Sequence, residues 1–182
     1  MWEKPEIISE ELAINLSSSL KDKKIGITTG CFDIFHSGHL KSIKFSKKNC
    51  DILFLLLNSD ESIKKLKGEN RPINNLDFRL DLLKELPYID YIVIFNDKDA
   101  DSLLEKMTFN TLFKGGDYDL NKLQKKFPNI EIMLSEYIKE ENGKASSTSN
   151  IIQKLTELKE LHEKKILSDE EFVAAKKKIL GE

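Results

Sequence analysis

The chain has 182 residues, 40% of them apolar and 33% charged, with a net charge of −2. This balance fits a folded globular protein and excludes a disordered one. With no basic tail or block, it also excludes nucleic acid as the main partner. The longest apolar run, Ile52 to Leu57, is six residues. A membrane-spanning helix needs about 20, so no membrane partner is expected. Cys31 and Cys50 have neither metal-ligand spacing nor a disulfide framework. The first residues, Met-Trp-Glu-Lys-Pro-Glu, lack a charged-then-apolar leader. A cytoplasmic protein is the expectation.

In chain order, Ser9-Glu-Glu-Leu reads as a capped helix start, followed by Leu12, Leu16 and Leu20 at helical spacing. Lys24 to Thr29 predicts a strand, closed by Gly30. Gly38 to Lys48 predicts a helix entered from a loop. Asp51 to Asn58 is a continuous apolar run, the mark of a strand buried on both faces. A short helix over Glu61 to Leu66 and a loop over Gly68 to Asn75 follow. Leu76 to Leu86 is a helix, Tyr91 to Phe95 a third strand and Asp99 to Met107 a further helix. Thr111 to Phe113 is a fourth strand, Leu120 to Lys126 a helix and Ile130 to Leu134 a fifth strand. Alternating strands and helices imply right-handed crossovers. The expected fold is α/β, a Rossmann-like, doubly wound, five-stranded parallel sheet. Ligands of such sheets bind beyond the carboxyl ends of the strands. The polar and glycine-bearing loops after Thr29, Leu57 and Phe113 lie there.

The most informative stretch is Thr29-Gly-Cys-Phe-Asp-Ile-Phe-His-Ser-Gly-His39. It follows a strand and opens a helix. Gly30 permits close backbone approach to a ligand. Gly38 lies at a helix start, where free amides attract anions. His36 and His39, three residues apart, can both face that point. Two imidazoles and free amides form a pocket for a polyphosphate. The third histidine, His162, has no such setting and reads as a helix-surface residue.

GCFDIFHSGH resembles the HxGH signature of the nucleotidyltransferase superfamily, in its cytidylyltransferase-like branch. Asn58-Ser-Asp, Leu66-Lys-Gly68, Arg71-Pro-Ile-Asn74, Arg79, Lys114-Gly-Gly-Asp-Tyr118 and Ser147-Thr-Ser-Asn150 follow in order. That ordered set resembles the adenylyltransferase domains of bacterial ADP-heptose synthases, over about residues 8–155. The resemblance implies attack by a substrate phosphate on the α-phosphate of a nucleoside triphosphate, with release of pyrophosphate. His36, His39 and Lys67 are then the catalytic residues. Gly30, Cys31, Phe32, Lys114, Gly115, Asp117, Ser147, Thr148 and Ser149 join the two histidines in binding nucleotide. Lys67, Arg71 and Arg79 hold the substrate phosphate; the two arginines are the only ones in the chain, and guanidinium forks suit phosphate. Asp33 is expected to orient the loop. Mg2+ is implied by the triphosphate, held by phosphate oxygens and water rather than by a protein cage.

Two pairs of substrates stay open: ATP with a sugar 1-phosphate such as heptose 1-phosphate, or CTP with a polyol phosphate such as glycerol 3-phosphate. A non-catalytic nucleotide sensor that signals through its helical tail is the reading from another class. Symmetric pairs dominate soluble oligomers, which makes a homodimer the default.

The tail predicts two helices. Ile151 to Lys165 carries Ile151, Leu155, Leu158 and His162 on one stripe. Ser168-Asp-Glu-Glu171 is a capping box, with Leu167 and Phe172 placed as a hydrophobic staple, and its helix runs to about Leu180. This hairpin resembles the short C-terminal module known as SHOCT. The expected organisation is a nucleotidyltransferase domain over residues 1–150 and a helical hairpin over 151–182.

Overall fold

The chain's one long apolar run becomes the middle of a sheet because it can bury both faces. In the computed structural model, which describes residues 3–115, 118–135 and 148–180 (backbone alone at 148–150 and 180), Leu53 to Leu57 are fully buried. Strand side chains alternate between faces, and here the alternation separates two cores. Phe54 and Leu56 join Ile25, Ile27, Leu104, Leu112 and Phe127. Leu53, Leu55 and Leu57 join Phe32, Ile43, Leu83 and Phe113.

The elements are β1 (Glu6–Ile8), α1 (Glu10–Ser19), β2 (Ile25–Gly30), α2 (Ser37–Lys48), β3 (Ile52–Asn58), α3 (Asp60–Lys67) and α4 (Leu76–Leu83). Then come β4 (Tyr91–Phe95), α5 (Asp101–Leu104), β5 (Thr111–Gly115), α6 (Leu120–Lys126), β6 (Glu131–Ser135), α7 (Thr148–Glu163) and α8 (Asp169–Leu180). All strand pairs are parallel, in the order β1-β4-β3-β2-β5-β6. The sheet has six strands, not the expected five. The addition is β1, whose Glu6 and Ile8 lie in register with Tyr91 and Val93. Three residues ahead of a helix cap are too few to show a strand period, and tertiary pairing supplies what local pattern lacks.

Helix starts follow the capping residues. Ser9, Ser59 and Asn75 each accept a hydrogen bond from the amide three residues on, and Asp119 accepts from two amides. Ala13 and Ser17 face inward from α1, and Leu12 is exposed. Helix α5 is only four residues long, shorter than the 99–107 pattern, and α4 stops at Leu83.

Chain order fixes where ligands can enter. From β2 the chain winds through β3 to β4, then crosses back to β5 on the other side of β2. The strand order reverses between β2 and β5, so the crevice lies at their carboxyl ends, beside Gly30 and Gly115. Among the described residues no helix is long and apolar enough to cross a membrane.

The chain divides into two compact units, residues 1–136 and 137–182. In the second, α7 ends in a Schellman motif built without glycine. Lys165 takes a left-handed φ of 56°, and the Lys165 and Ile166 amides bond back to the His162 and Leu161 carbonyls. The Ser168 amide donates to Glu171 (2.9 Å) and the Glu171 amide to Ser168 Oγ (3.2 Å), forming the capping box. His162 stacks on Phe172, ring centroids 4.4 Å apart, and its Nε2 lies 2.7 Å from Asp169. It is thus a clasp between the two helices rather than a bare surface residue.

Candidate active site

The site begins where β2 runs out. Phe32 takes a left-handed backbone, φ 47°, a conformation that costs a non-glycine residue about 1–3 kcal/mol and collects at functional sites. It turns the chain from β2 toward α2 and folds its own ring back over Gly30. A Cβ on Gly30 would lie 3.0 Å from that ring, so a larger residue here would have to push the ring aside. His36 then caps α2, its Nδ1 accepting the Gly38 amide proton at 3.1 Å. With Nδ1 as acceptor, the neutral ring carries its proton on Nε2.

One helical turn later, His39 stacks on His36, centroids 3.8 Å apart and planes 24° off parallel. Phe32 and Phe35 wall the other sides of His39, at 5.0 and 5.6 Å. Burial drives the His39 pKa down to about 3, with the His36 and Lys67 charges adding to the effect; burial also lowers His36. Both rings are therefore neutral in the free protein at neutral pH. His39 Nδ1 is buried without a hydrogen-bond partner among the described residues. An orphaned polar atom of this kind is costly.

Asp33 locks the loop. Its carboxylate, 2% exposed, accepts from Arg71 Nε (2.7 Å) and from the Ile73 and Asn74 amides (2.8 Å each), and Asn74 Nδ2 donates to its carbonyl (2.6 Å). The expected orienting role of Asp33 thus has a structural basis. It also occupies Arg71, whose Nη2 lies 2.6 Å from the same carboxylate.

Arg79 requires a correction. Expected on the substrate phosphate, its side chain is wholly buried. Nη1 donates to the carbonyls of Cys31 (2.8 Å) and Asn58 (2.7 Å), and Nη2 pairs with Asp60 at 2.7 Å. The guanidinium ties together the chain segments leaving β2 and β3 through Nη1 and Nη2, while its buried Nε has no partner among the described residues. The Phe32 ring is buried against His39.

At the crevice, Gly30, Cys31, Lys67 and Lys114 line one cavity of about 420 Å³, within the range of ligand pockets. Lys67 reaches it from the last turn of α3, where Gly68 ends the helix with φ 94°. The Lys114 ammonium donates to the Thr29 hydroxyl and lies over the Tyr118 ring. Burial raises the Cys31 thiol pKa, so this cysteine is a neutral wall rather than a nucleophile. Gly115 closes β5, in register with Ser135. Asp117 and Ser147 lie outside the described residues, and Thr148 and Ser149 are described only as the backbone that starts α7. Lys98, Lys122 and Lys126 also line the cavity. Sequence reasoning passed over them, since isolated lysines in a lysine-rich chain carry no local signal. Among the described residues no three His, Cys, Asp or Glu side chains group to hold a metal ion.

A switch-point crevice, paired imidazoles at a helix start and a lysine-lined cavity define a phosphate-handling α/β protein. Comparison with known proteins gives the class. The cytidylyltransferase-like family model matches residues 27–154, and the chain belongs to this family of nucleotidyltransferases. It is 40% identical over 148 residues to the bifunctional protein HldE of Aliarcobacter butzleri, and 40% identical over 150 residues to that of Helicobacter hepaticus. These matches cover 81% and 82% of the chain but only 30% of each relative, so the chain spans about three tenths of their length. Among solved structures it resembles a lipopolysaccharide core biosynthesis protein from Thermoplasma volcanium, with TM-score 0.54 and 28% identity over 65% of this chain and 99% of that one. A pantoate-beta-alanine ligase from Francisella tularensis shares the fold, with TM-score 0.60 and 19% identity over 86% of this chain and 78% of that one.

Proposed function

We propose that this chain transfers an adenylyl group from ATP to a sugar 1-phosphate, with heptose 1-phosphate as the leading acceptor, and releases pyrophosphate. The observation that carries the reading is the stacked pair His36 and His39 at the N-terminus of α2, beside the switch point. The HldE relatives and the lipopolysaccharide core biosynthesis protein favour a sugar phosphate as acceptor.

An acceptor phosphate oxygen forms a bond to the α-phosphorus as the bond to the bridging oxygen of pyrophosphate breaks. No covalent enzyme intermediate is needed, and positioning with charge stabilisation does the work. His36 Nε2–H donates to a phosphate oxygen, and the α2 amides lie at the same point. His39 is neutral until the phosphates arrive; their charge then favours its protonated form as negative charge builds. Lys67 brings the acceptor phosphate to the strand ends, and Lys114 holds the nucleotide. Arg71 reaches it only by sharing its ion pair with Asp33. Mg2+ bound with the triphosphate would supply charge neutralisation, held mainly by phosphate oxygens and water. Asp117 on the ribose, and Ser147, Thr148 and Ser149 on the outer phosphates, complete the nucleotide site in this reading. Residues 1–150 form the transferase domain and 151–182 a docking hairpin, in a cytoplasmic enzyme that works as a homodimer.

The test is pyrophosphate release with ATP and with CTP, each against heptose 1-phosphate and glycerol 3-phosphate. ATP with the sugar phosphate is expected to lead. A lead for CTP with glycerol 3-phosphate would move the chain to the cytidylyl branch. Nucleotide binding without pyrophosphate release from any pair would favour a sensor.

A further inference from the structure

Helix α3 presents Lys67 to the crevice, and little apolar packing holds it there. It has eight residues, and a helix so short is marginal on its own. Of its two apolar side chains, Ile63 is buried and Leu66 is 44% exposed. Lys67 lies one turn beyond Ile63 on the same stripe. It lines the cavity and makes no hydrogen bond or ion pair with another described residue. The place of its ammonium group is therefore set by where the helix lies and how it is rolled about its axis.

Polar ties fix both. At the first turn, Asp60 accepts from Arg79 Nη2 (2.7 Å) and from the Leu76 amide (3.2 Å). These hold one end, and a helix held at one end can still pivot and roll. The second fixed point is Ser62, which is wholly buried. Its hydroxyl accepts from Asn58 Nδ2 at 2.8 Å and donates to the Asp97 carbonyl. Asn58 ends β3, and Asp97 follows the neighbouring strand β4. One hydroxyl thus joins the helix to the ends of two adjacent strands. It has a single proton to give, and the carbonyl, which can only accept, settles its direction. Ser62 stands next to Ile63 on the buried side of α3, so this knot fixes the roll that aims Lys67.

We propose that Ser62 is a positioning residue for the transfer and acts through Lys67. It does not line the cavity, and its hydroxyl is committed to Asn58 and Asp97. This rests on the transferase reading above, in which Lys67 holds the acceptor phosphate.

The test is a double-mutant cycle of Ser62→Ala and Lys67→Ala, read as kcat/KM for pyrophosphate release with the substrate pair that the wild type turns over best. Ser62→Ala is expected to lower kcat/KM by about tenfold or more in the wild-type chain and by less than about twofold in the Lys67→Ala chain, the mark of two residues that act as one unit. A purely structural role would give the same loss in both. Ser62→Cys, which keeps the volume and weakens both bonds, replaces the alanine variant if that one does not fold, and urea midpoints check the fold of each. A second readout needs no substrate: the acetylation rate of Lys67 relative to Lys64 under acetic anhydride, followed by mass spectrometry. It is expected to shift by about twofold or more in Ser62→Ala, since the reactivity of a lysine amine follows its surroundings. Equal losses in both backgrounds, or an unshifted Lys67 rate, overturn the positioning role. If no acceptor yields pyrophosphate from the wild type, the transferase reading fails, and the labelling rate still decides whether Ser62 places Lys67.

Discussion

Replacing Arg79 by methionine keeps most of the side chain's length and removes its charge and its donors. The Cys31 and Asn58 carbonyls then lose the Nη1 contacts, 2.8 and 2.7 Å in the native structure. Each stranded acceptor costs about 1–3 kcal/mol. The Asp60 side chain is 37% exposed, so its unpaired charge rehydrates and adds about 1 kcal/mol at most. Together these come to about 2–7 kcal/mol, a range centred on the about 3–5 kcal/mol lost when one partner of a buried pair is removed. At a urea slope of about 2 kcal/mol/M, the unfolding midpoint followed by circular dichroism falls by roughly 2 M. The kcat for pyrophosphate release should fall too, because the segments leaving β2 and β3 lose their tie, while the acceptor KM moves little. A midpoint within about 0.5 M of the wild type, together with a raised acceptor KM, would refute the structural role and return Arg79 to the substrate phosphate.

His39→Ala should cut turnover by about 10²–10³-fold, the usual loss for one transition-state donor, with an unchanged circular dichroism spectrum; full turnover would remove this ring from the chemistry. The native His39 pKa of about 3 lies below the unfolded value of 6.5, so between those values the unfolded chain binds the extra proton. That contribution is complete above pH 6.5 and is lost as the pH falls toward 3, by at most about 1.4 kcal/mol per unit. Urea midpoints from pH 7 to 4 should accordingly fall less steeply for His39→Ala than for the wild type, and parallel curves would contradict the buried neutral ring. Asp33→Asn should raise the acceptor KM and lower kcat together, since it loosens Arg71 and the 73–74 turn from the histidine loop; a change in stability alone would limit Asp33 to the fold.

What the sequence showed and what it hid follow from range. Strand β3 is the most legible because a strand covered on both faces must be apolar throughout, as Ile52 to Leu57 is; β2, β4, β5 and β6 show as shorter apolar stretches between helical patterns. The histidine pair is legible because three residues is nearly one helical turn. Strand β1 is not, because its partner Tyr91 to Val93 lies about 85 residues away in sequence. The burial of Arg79 escapes for a similar reason, since its scarcity in the chain says nothing of the carbonyls that meet it. Lys98 and Lys122 become conspicuous only when folding gathers them around one cavity.

The three residues of β1 also act as a guard. Without Glu6 to Ile8, Tyr91-Ile-Val-Ile-Phe95 would be the outermost strand, with a row of bare amides and carbonyls on an apolar ribbon, the template on which chains stack into aggregates. A shortened version that begins at Ser9 keeps every residue of the histidine loop and the lysine cavity. Its failing would be colloidal rather than chemical, with intact turnover in dilute solution and precipitation on concentration. These three residues thus decide how the protein can be handled, though none of them lines the cavity.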